Sequence, residues 1–432
     1  MLVMRIFLSV FVLCVFQVQL CGQVSAEIAE WFNEGEYFFN RKDYQEAAYY
    51  YKQIVAQYPE HANFNFKLGE CYLSMPGNET LAIPCFEKAV RSTVAKKKYK
   101  RKEITESNAP LHAYFYLGNA YRIGNRLDDA LKAYTTFVNS PFYEGNYNIT
   151  IVENEIMSCE RAKIIRDSPI DITEVKLDSI INTEATELCA VISRDEKTLV
   201  FVRRLKFYDA IYLTTRQGNS WSTPVNLNPL VGSDGDLYPS CLSADGKALY
   251  FVKKNPTGNE IWVSFLQHAT FNTAIKLGGN INSGAGESSP WVSADGTTLY
   301  FVSARKGGYG GTDIYVAKKQ NLEWGKARNL GAAINTAFDE ETPCLVNNDS
   351  TLFFSSKGHN NMGGYDVFTC TFDGRKWSEP VNLGFPLNNT SDNLGYVAVQ
   401  HGEAGYYVKT DPASGTAEDI FRAVINPLQV LP

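Results

Sequence analysis

Ser243–Phe251 reads SADGKALYF, and fifty residues later Ser293–Phe301 reads SADGTTLYF. Looser copies stand at Ser193–Phe201 (SRDEKTLVF) and Asn347–Ser355 (NNDSTLFFS). Other landmarks keep step with this unit. An aromatic closes its second apolar run at Phe201, Phe251, Phe301, Phe354 and Tyr407. An acid, an aliphatic and an aromatic follow at Asp209-Ala210-Ile211-Tyr212 (one residue inserted), Glu260-Ile261-Trp262, Asp313-Ile314-Tyr315, Asp366-Val367-Phe368 and Asp419-Ile420-Phe421. Rings at Trp221, Phe271, Trp324 and Trp377 then precede exits at Leu227, Leu277, Leu330 and Leu383. Short alternating apolar runs with Gly, Asp and Asn turns, recurring every 50 to 53 residues, are the pattern of β-propeller blades.

Each copy predicts four strands. The Asp245-Gly246 and Asp295-Gly296 pairs supply the positive backbone dihedrals of a tight hairpin between the first two. First-strand copies at Leu188, Tyr238, Ser288, Thr342 and Leu394 count five blades. The fifth lacks a fourth strand after Phe421, and the isolated alternating segment Ile172–Leu177 has the pattern to supply it and close the ring. Six blades would require Pro169–Thr183 to be a degenerate blade, for which it is short.

The first half follows a helical period with its own repeat. Trp31, Gly35, Phe38, Ala47, Tyr51 and Pro59 match the tetratricopeptide pattern, in which small residues stand where the two helices of a hairpin come closest. A second copy runs through Gly69, Tyr72, Ala82, Phe86 and Ala89; a third through Tyr114, Leu117, Gly118, Tyr121, Ala130, Tyr134 and Phe137 to Pro141. About 15 extra residues separate copies two and three. Val152–Arg166 has helical spacing suited to capping the last hairpin. The fold class expected is therefore α then β in two domains: a short tetratricopeptide α-solenoid over residues 27–168 and a propeller over 169–425, with 426–432 as a linker-like tail. The solenoid's groove is expected to hold a protein partner through Tyr37, Asn65, Tyr72, Tyr114 and Asn119 on the first helices of the hairpins.

Composition is that of a globular chain, and the net charge of −6 gives no electrostatic case for nucleic acid. The basic run Lys96-Lys97-Lys98-Tyr99-Lys100-Arg101-Lys102 reads as a solvated loop, or else as a site for an acidic partner or lipid headgroups. At the N-terminus Arg5 precedes an apolar stretch from Ile6 to Phe16, the form of an export signal over residues 1–26. Two endings compete: cleavage after Val24-Ser25-Ala26, or lipidation of Cys21, although Leu20 stands where a lipobox prefers a small residue. Either ending places the chain outside the cytoplasm, in the periplasm or at the periplasmic face of the outer membrane. Cys71, Cys85, Cys159, Cys189, Cys241, Cys344 and Cys370 lack the paired spacing of a zinc site, and Cys71 with Cys85 is the one pair placed to form a disulfide.

No catalytic residue, metal or cofactor is expected. A glycosidase needs two acids in different environments, whereas Asp313, Asp366 and Asp419 occupy one place in successive blades and so serve blade geometry. Glu187, Asp236, Glu287, Glu340 and Asp392 each precede an inner strand. They either converge at one channel mouth, drawing a cation or a Lys- or Arg-bearing chain, or cap neighbouring turns.

Three tetratricopeptide copies together with SADGxxLYF, GGxDIY and WxxPxNLG blades resemble the Bacteroidota envelope proteins that join such repeats to a TolB-like, WD-like propeller, and among them the PorE-like group associated with type IX secretion. The resemblance implies a lipid-anchored, periplasm-facing scaffold. Members of that group continue into a small β domain and an OmpA-like domain; this sequence ends at Pro432, so peptidoglycan binding is not carried over. The function expected is a non-enzymatic protein–protein interaction scaffold of the cell envelope, in a secretion or outer-membrane assembly. The alternative is a glycan-binding or glycan-processing propeller.

Overall fold

The computed structural model describes residues 25–143, 147–321, 323–411 and 418–426. The readings made on residues 1–24, including Cys21, and on most of the C-terminal tail lie outside them. The chain divides into two compact units, residues 1–152 and 153–432, each described by itself.

The first unit is three helical hairpins: α1 (Ala26–Asn40) with α2 (Tyr44–Gln57), α3 (Ala62–Leu73) with α4 (Ala82–Ala89), and α5 (Ala113–Ile123) with α6 (Leu127–Val138). Ser25 and Asp43 cap α1 and α2 by accepting from the amides of Ile28 and Glu46. One contact recurs in every hairpin. A Cβ placed on Gly35 would lie 2.8 Å from the ring of Tyr51, on Gly69 2.7 Å from Phe86, and on Gly118 2.3 Å from Tyr134. All three rings are fully buried. The glycines are there because a ring from the second helix lies flat on their backbone. Cys71 and Cys85 are both buried free thiols, so the disulfide considered for them is not formed.

The second unit is a five-bladed propeller, which removes the six-bladed alternative. Its inner strands are Glu187–Ile192, Leu237–Leu242, Glu287–Val292, Glu340–Val346 and Val397–Val399. Each lies against the next, and the last against the first. The aromatics that close the second strands, Phe201, Phe251, Phe301, Phe354 and Tyr407, are all buried between blades. In blade 5 the order is Val397–Val399, Ala404–Thr410, Glu418–Ile425 and then Ile172–Lys176, antiparallel, with Phe421 opposite Lys176 and Ile425 opposite Ile172. The segment ahead of blade 1 thus completes blade 5, as its alternation predicts.

Two devices hold the blades. An asparagine after each outer strand accepts from the amide of the third-strand residue that follows the recurrent acid: Asn228 from Ile211, Asn282 from Ile261, Asn335 from Ile314, Asn388 from Val367 and Asn182 from Ile420, at 2.7 to 2.8 Å. At the seam between blades 5 and 1, Glu196 takes the left-handed turn position that Gly246 and Gly296 fill elsewhere. Its carboxylate receives Tyr406 at 2.7 Å, Arg422 at 2.8 Å and Gln400 at 2.5 Å, all from blade 5. Burial opposes ionisation of Glu196, but these three donors hold its carboxyl below the usual range.

The helix α7 (Ile149–Arg166) crosses the division between units. Its Asn154 donates to the Lys357 carbonyl at 3.0 Å, Ser158 to Asn361 at 2.6 Å and Arg161 to the His359 carbonyl at 3.1 Å. The segment read as a cap for the hairpins therefore bonds, from Asn154 onward, to the loop of blade 4.

Gly118→Ala should destabilise the helical unit. The gain in helix propensity is about 1 kcal/mol, but overpacking against a buried ring costs about 1–3 kcal/mol. At 2.3 Å the second effect wins. Urea unfolding followed by helical circular dichroism should show a lower midpoint, partly restored by adding Tyr134→Leu.

Candidate functional site

In a tetratricopeptide array the first helices of the hairpins line the concave groove, here α1, α3 and α5. The helix α3 is buried without a break from Ala62 to Cys71, including Asn63, Lys67 and Glu70. An amphipathic helix should leave one face to solvent; this one leaves none. What covers its polar side is the insertion between the second and third hairpins. A parallel bridge between Thr93–Val94 and Ala109–Pro110 closes the base of a compact loop. From that loop Tyr99 donates to Asn63 at 2.7 Å and sets its ring edge-on to Phe66. Arg101 reaches both oxygens of Glu70 at 3.0 and 2.7 Å and lies over the ring of Phe39.

The repeat itself explains why the loop docks on the second hairpin. In hairpins one and three the packed ring is a tyrosine whose hydroxyl serves the residue after the glycine: Tyr51 to Glu36 at 2.5 Å, and Tyr134 to Asn119 at 2.7 Å. In hairpin two the ring is Phe86, with no hydroxyl to offer Glu70. Arg101 fills that place. Lys67, fully buried, pairs with Glu36 at 2.5 Å beside it. Burial lowers the Lys67 ammonium, and burial raises the Glu70 carboxyl. The basic run is therefore divided: Lys96, Lys97, Lys98, Lys100 and Lys102 are exposed, whereas Tyr99 and Arg101 turn into the groove.

The five residues expected to contact a partner separate in the same way. Asn65 is buried and holds the Pro59 and His61 carbonyls at 3.0 Å, so it braces the turn before α3 and is not a surface contact. Asn119 accepts from Tyr134, and Tyr114 donates to the Val90 carbonyl at 3.2 Å. Tyr37 is 53% exposed and Tyr72 lies half-buried beneath Lys52.

Of the two readings of the acids that precede the inner strands, the hydrogen bonds of the three glutamates support turn capping. Glu187, Glu287 and Glu340 are fully buried, and each accepts the amide and the hydroxyl of the residue four places earlier, Thr183, Ser283 and Thr336. They cap turns. The equivalent first positions in blades 2 and 5 are Leu237 and Asn393, and Asn393 accepts from the Asn389 amide in the same manner. Asp236 and Asp392 are one residue out of register; the first pairs with Lys253 at 2.8 Å and the second accepts from the Tyr365 amide at 3.0 Å. The acids of the third strands also tie turns, as Asp313 does with the amides of Tyr309 and Gly310.

One carboxyl breaks the blade symmetry. Glu341 stands where the other blades carry Leu188, Tyr238, Ser288 and Leu394, and accepts from Ser289 at 3.0 Å and Ser288 at 3.4 Å. Burial pushes its carboxyl up to about 7. Among the described residues no cluster of His, Cys, Asp and Glu is placed to hold a metal ion, and no helix is long and apolar enough to cross a membrane.

A tetratricopeptide-repeat family model matches residues 32–96. No curated protein matches the chain. Among solved structures it is similar to TolB from Acinetobacter baumannii, at 15% identity over 66% of this chain and 70% of that one with a TM-score of 0.40. A putative TolB from Agrobacterium tumefaciens matches at 14% identity over 60% and 99%, TM-score 0.35. A thermostable family-43 glycoside hydrolase matches at 12% over 57% and 91%, TM-score 0.39.

Glu341→Gln should flatten one part of the pH–stability profile. A carboxyl raised by folding stabilises fully below its unfolded value near 4.5, and that stability is lost as pH rises to about 7. Urea midpoints of the native chain should fall more steeply across this window than those of the variant. Parallel profiles would show that Glu341 is ionised throughout.

Proposed function

We propose that this chain is a non-enzymatic protein–protein interaction scaffold, exported to the periplasmic side of the cell envelope, whose helical groove takes an extended segment bearing an aromatic and an arginine two residues apart. The observation that carries this is the groove's present occupant. Tyr99 and Arg101 of the chain's own insertion are seated there by a part-buried hydrogen bond, a two-oxygen ion pair and ring contacts. Charge-assisted pairs and aromatic anchors of this kind mark recognition of one chain by another. A partner segment with the same chemistry competes with the insertion for Asn63 and Glu70. The envelope setting draws on the apolar N-terminal stretch and on the resemblance of the repeat and blade motifs to envelope scaffolds, with Cys21 as the lipid anchor and secretion or outer-membrane components as partners.

Cross-linked capture from the source cell envelope, read by mass spectrometry, tests this with two forms of the full chain. Tyr99→Ala/Arg101→Ala frees the groove and should recover more of the same envelope proteins than the native chain does. Equal recovery would remove the groove from the account. Absence of any protein above background, with binding on a glycan array, would replace the scaffold with a glycan-binding propeller.

A further inference from the structure

The insertion between the second and third hairpins sorts its residue types by direction. Tyr99 and Arg101 turn inward, to Asn63, Glu70 and the rings of Phe66 and Phe39. Lys96, Lys97, Lys98, Lys100 and Lys102 are all exposed. The backbone produces this division. Lys96–Lys98 form a single 3₁₀ turn with no buried residue, and Tyr99 after it is extended, so Lys98 and Lys100 point away from the side that Tyr99 takes. The base of the loop is fixed by the bridge of Thr93–Val94 with Ala109–Pro110 and by Ser92 donating to Asn108 at 2.6 Å. The fold therefore holds the lysines out as one face.

Little within the loop neutralises them. Glu103 pairs with Lys100 at 3.1 Å, while Glu106 is turned to the Lys100 and Asn108 amides at 3.3 and 2.9 Å. Arg101 and Glu70 cancel each other. Five exposed lysines set against two glutamates leave a local charge of +3 on a chain whose total is −6.

We propose that this lysine face rests on an anionic lipid bilayer, against phospholipid headgroups. The sorting of residue types argues for lipid over protein. Protein interfaces concentrate Tyr and Arg and are depleted in Lys, and here Tyr99 and Arg101 face the chain's own groove. Lysine is a hydrated point charge on a flexible stem, without the fork that orients arginine on one carboxylate. Such charges suit a fluid layer of spread negative charge. The chain's overall negative charge is no obstacle, because at physiological ionic strength the Debye length is about 8 Å and the headgroups feel only the nearest groups. The proposal needs the insertion docked as it stands and no second protein, so it is independent of whether the groove exchanges it for a partner.

The test is flotation of the full chain with vesicles of phosphatidylcholine alone or mixed equally with phosphatidylglycerol. Binding through the apolar stretch Ile6–Phe16 requires no anionic lipid, so the ratio of the two affinities isolates the lysines. At about fivefold per lysine, a net +3 should give a ratio of about a hundred, falling as salt is added. Lys98→Gln/Lys100→Gln/Lys102→Gln should bring the ratio near one. Lys197→Gln/Lys247→Gln/Lys326→Gln makes the same change of charge on exposed propeller lysines and should leave it as in the native chain. Both variants keep Tyr99 and Arg101 and should keep the native urea midpoint. A native ratio near one, or an equal fall in both variants, would overturn the proposal. Soluble polyglutamate binding as tightly as the mixed vesicles, and lost in the first variant alone, would give the face to an acidic protein instead.

Discussion

Everything in the propeller depends on one antiparallel ladder, that between Ile172–Lys176 and Glu418–Ile425. A ring of blades with an unpaired last sheet would expose an edge and leave the first and last blades free to part. Here the edge is covered by chain from the far end of the domain: Lys176 meets Asp419 at 2.7 Å across 243 residues of sequence. Closing so long a loop costs only slowly more than closing a short one, so a ladder of a few hydrogen bonds suffices. Asn182 adds the fifth copy of the strand clamp immediately after it, and Glu196 ties the same two blades at their inner side. Closure is thus made twice, at the rim and near the axis.

The helical unit follows a different constraint. Rings on glycines set the spacing within each hairpin, and the hydroxyl on two of those rings settles the residue beside the glycine. Where Phe86 lacks the hydroxyl, Glu70 would be a buried unpaired acid, and the insertion answers it with Arg101. A groove of the kind that holds foreign peptides is therefore already holding a piece of its own chain. Binding and stability are coupled at that point, since whatever removes Arg101 must bring its own cation to Glu70.

Much of this was legible in the sequence for a physical reason: a contact made in every repeat must leave its mark in every repeat. Gly35, Gly69 and Gly118 with their rings, and the alternation of Ile172–Leu177, were readable on that ground. The sequence carries a further signal of the same kind, a leucine and an asparagine five apart at Leu177–Asn182, Leu277–Asn282, Leu330–Asn335 and Leu383–Asn388, which identifies the first of these as the missing exit of blade 5. Asp236 and Asp392 look in sequence like the three glutamates because they are acids close to an inner strand. Leu237 and Asn393 hold the equivalent place, and no rule of residue type could show it. What breaks the symmetry was hidden. Arg101 looks like one more solvated charge until its partner, 31 residues away, is known.

Native-state hydrogen exchange at the amides of residues 172–176 tests the closure most directly. If the ladder closes the ring, these amides exchange only when the whole propeller unfolds, with the same free energy as those of 418–425 and the same dependence on denaturant. Exchange of 172–176 by local fraying, with little denaturant dependence and while 418–425 stays protected, would contradict the account.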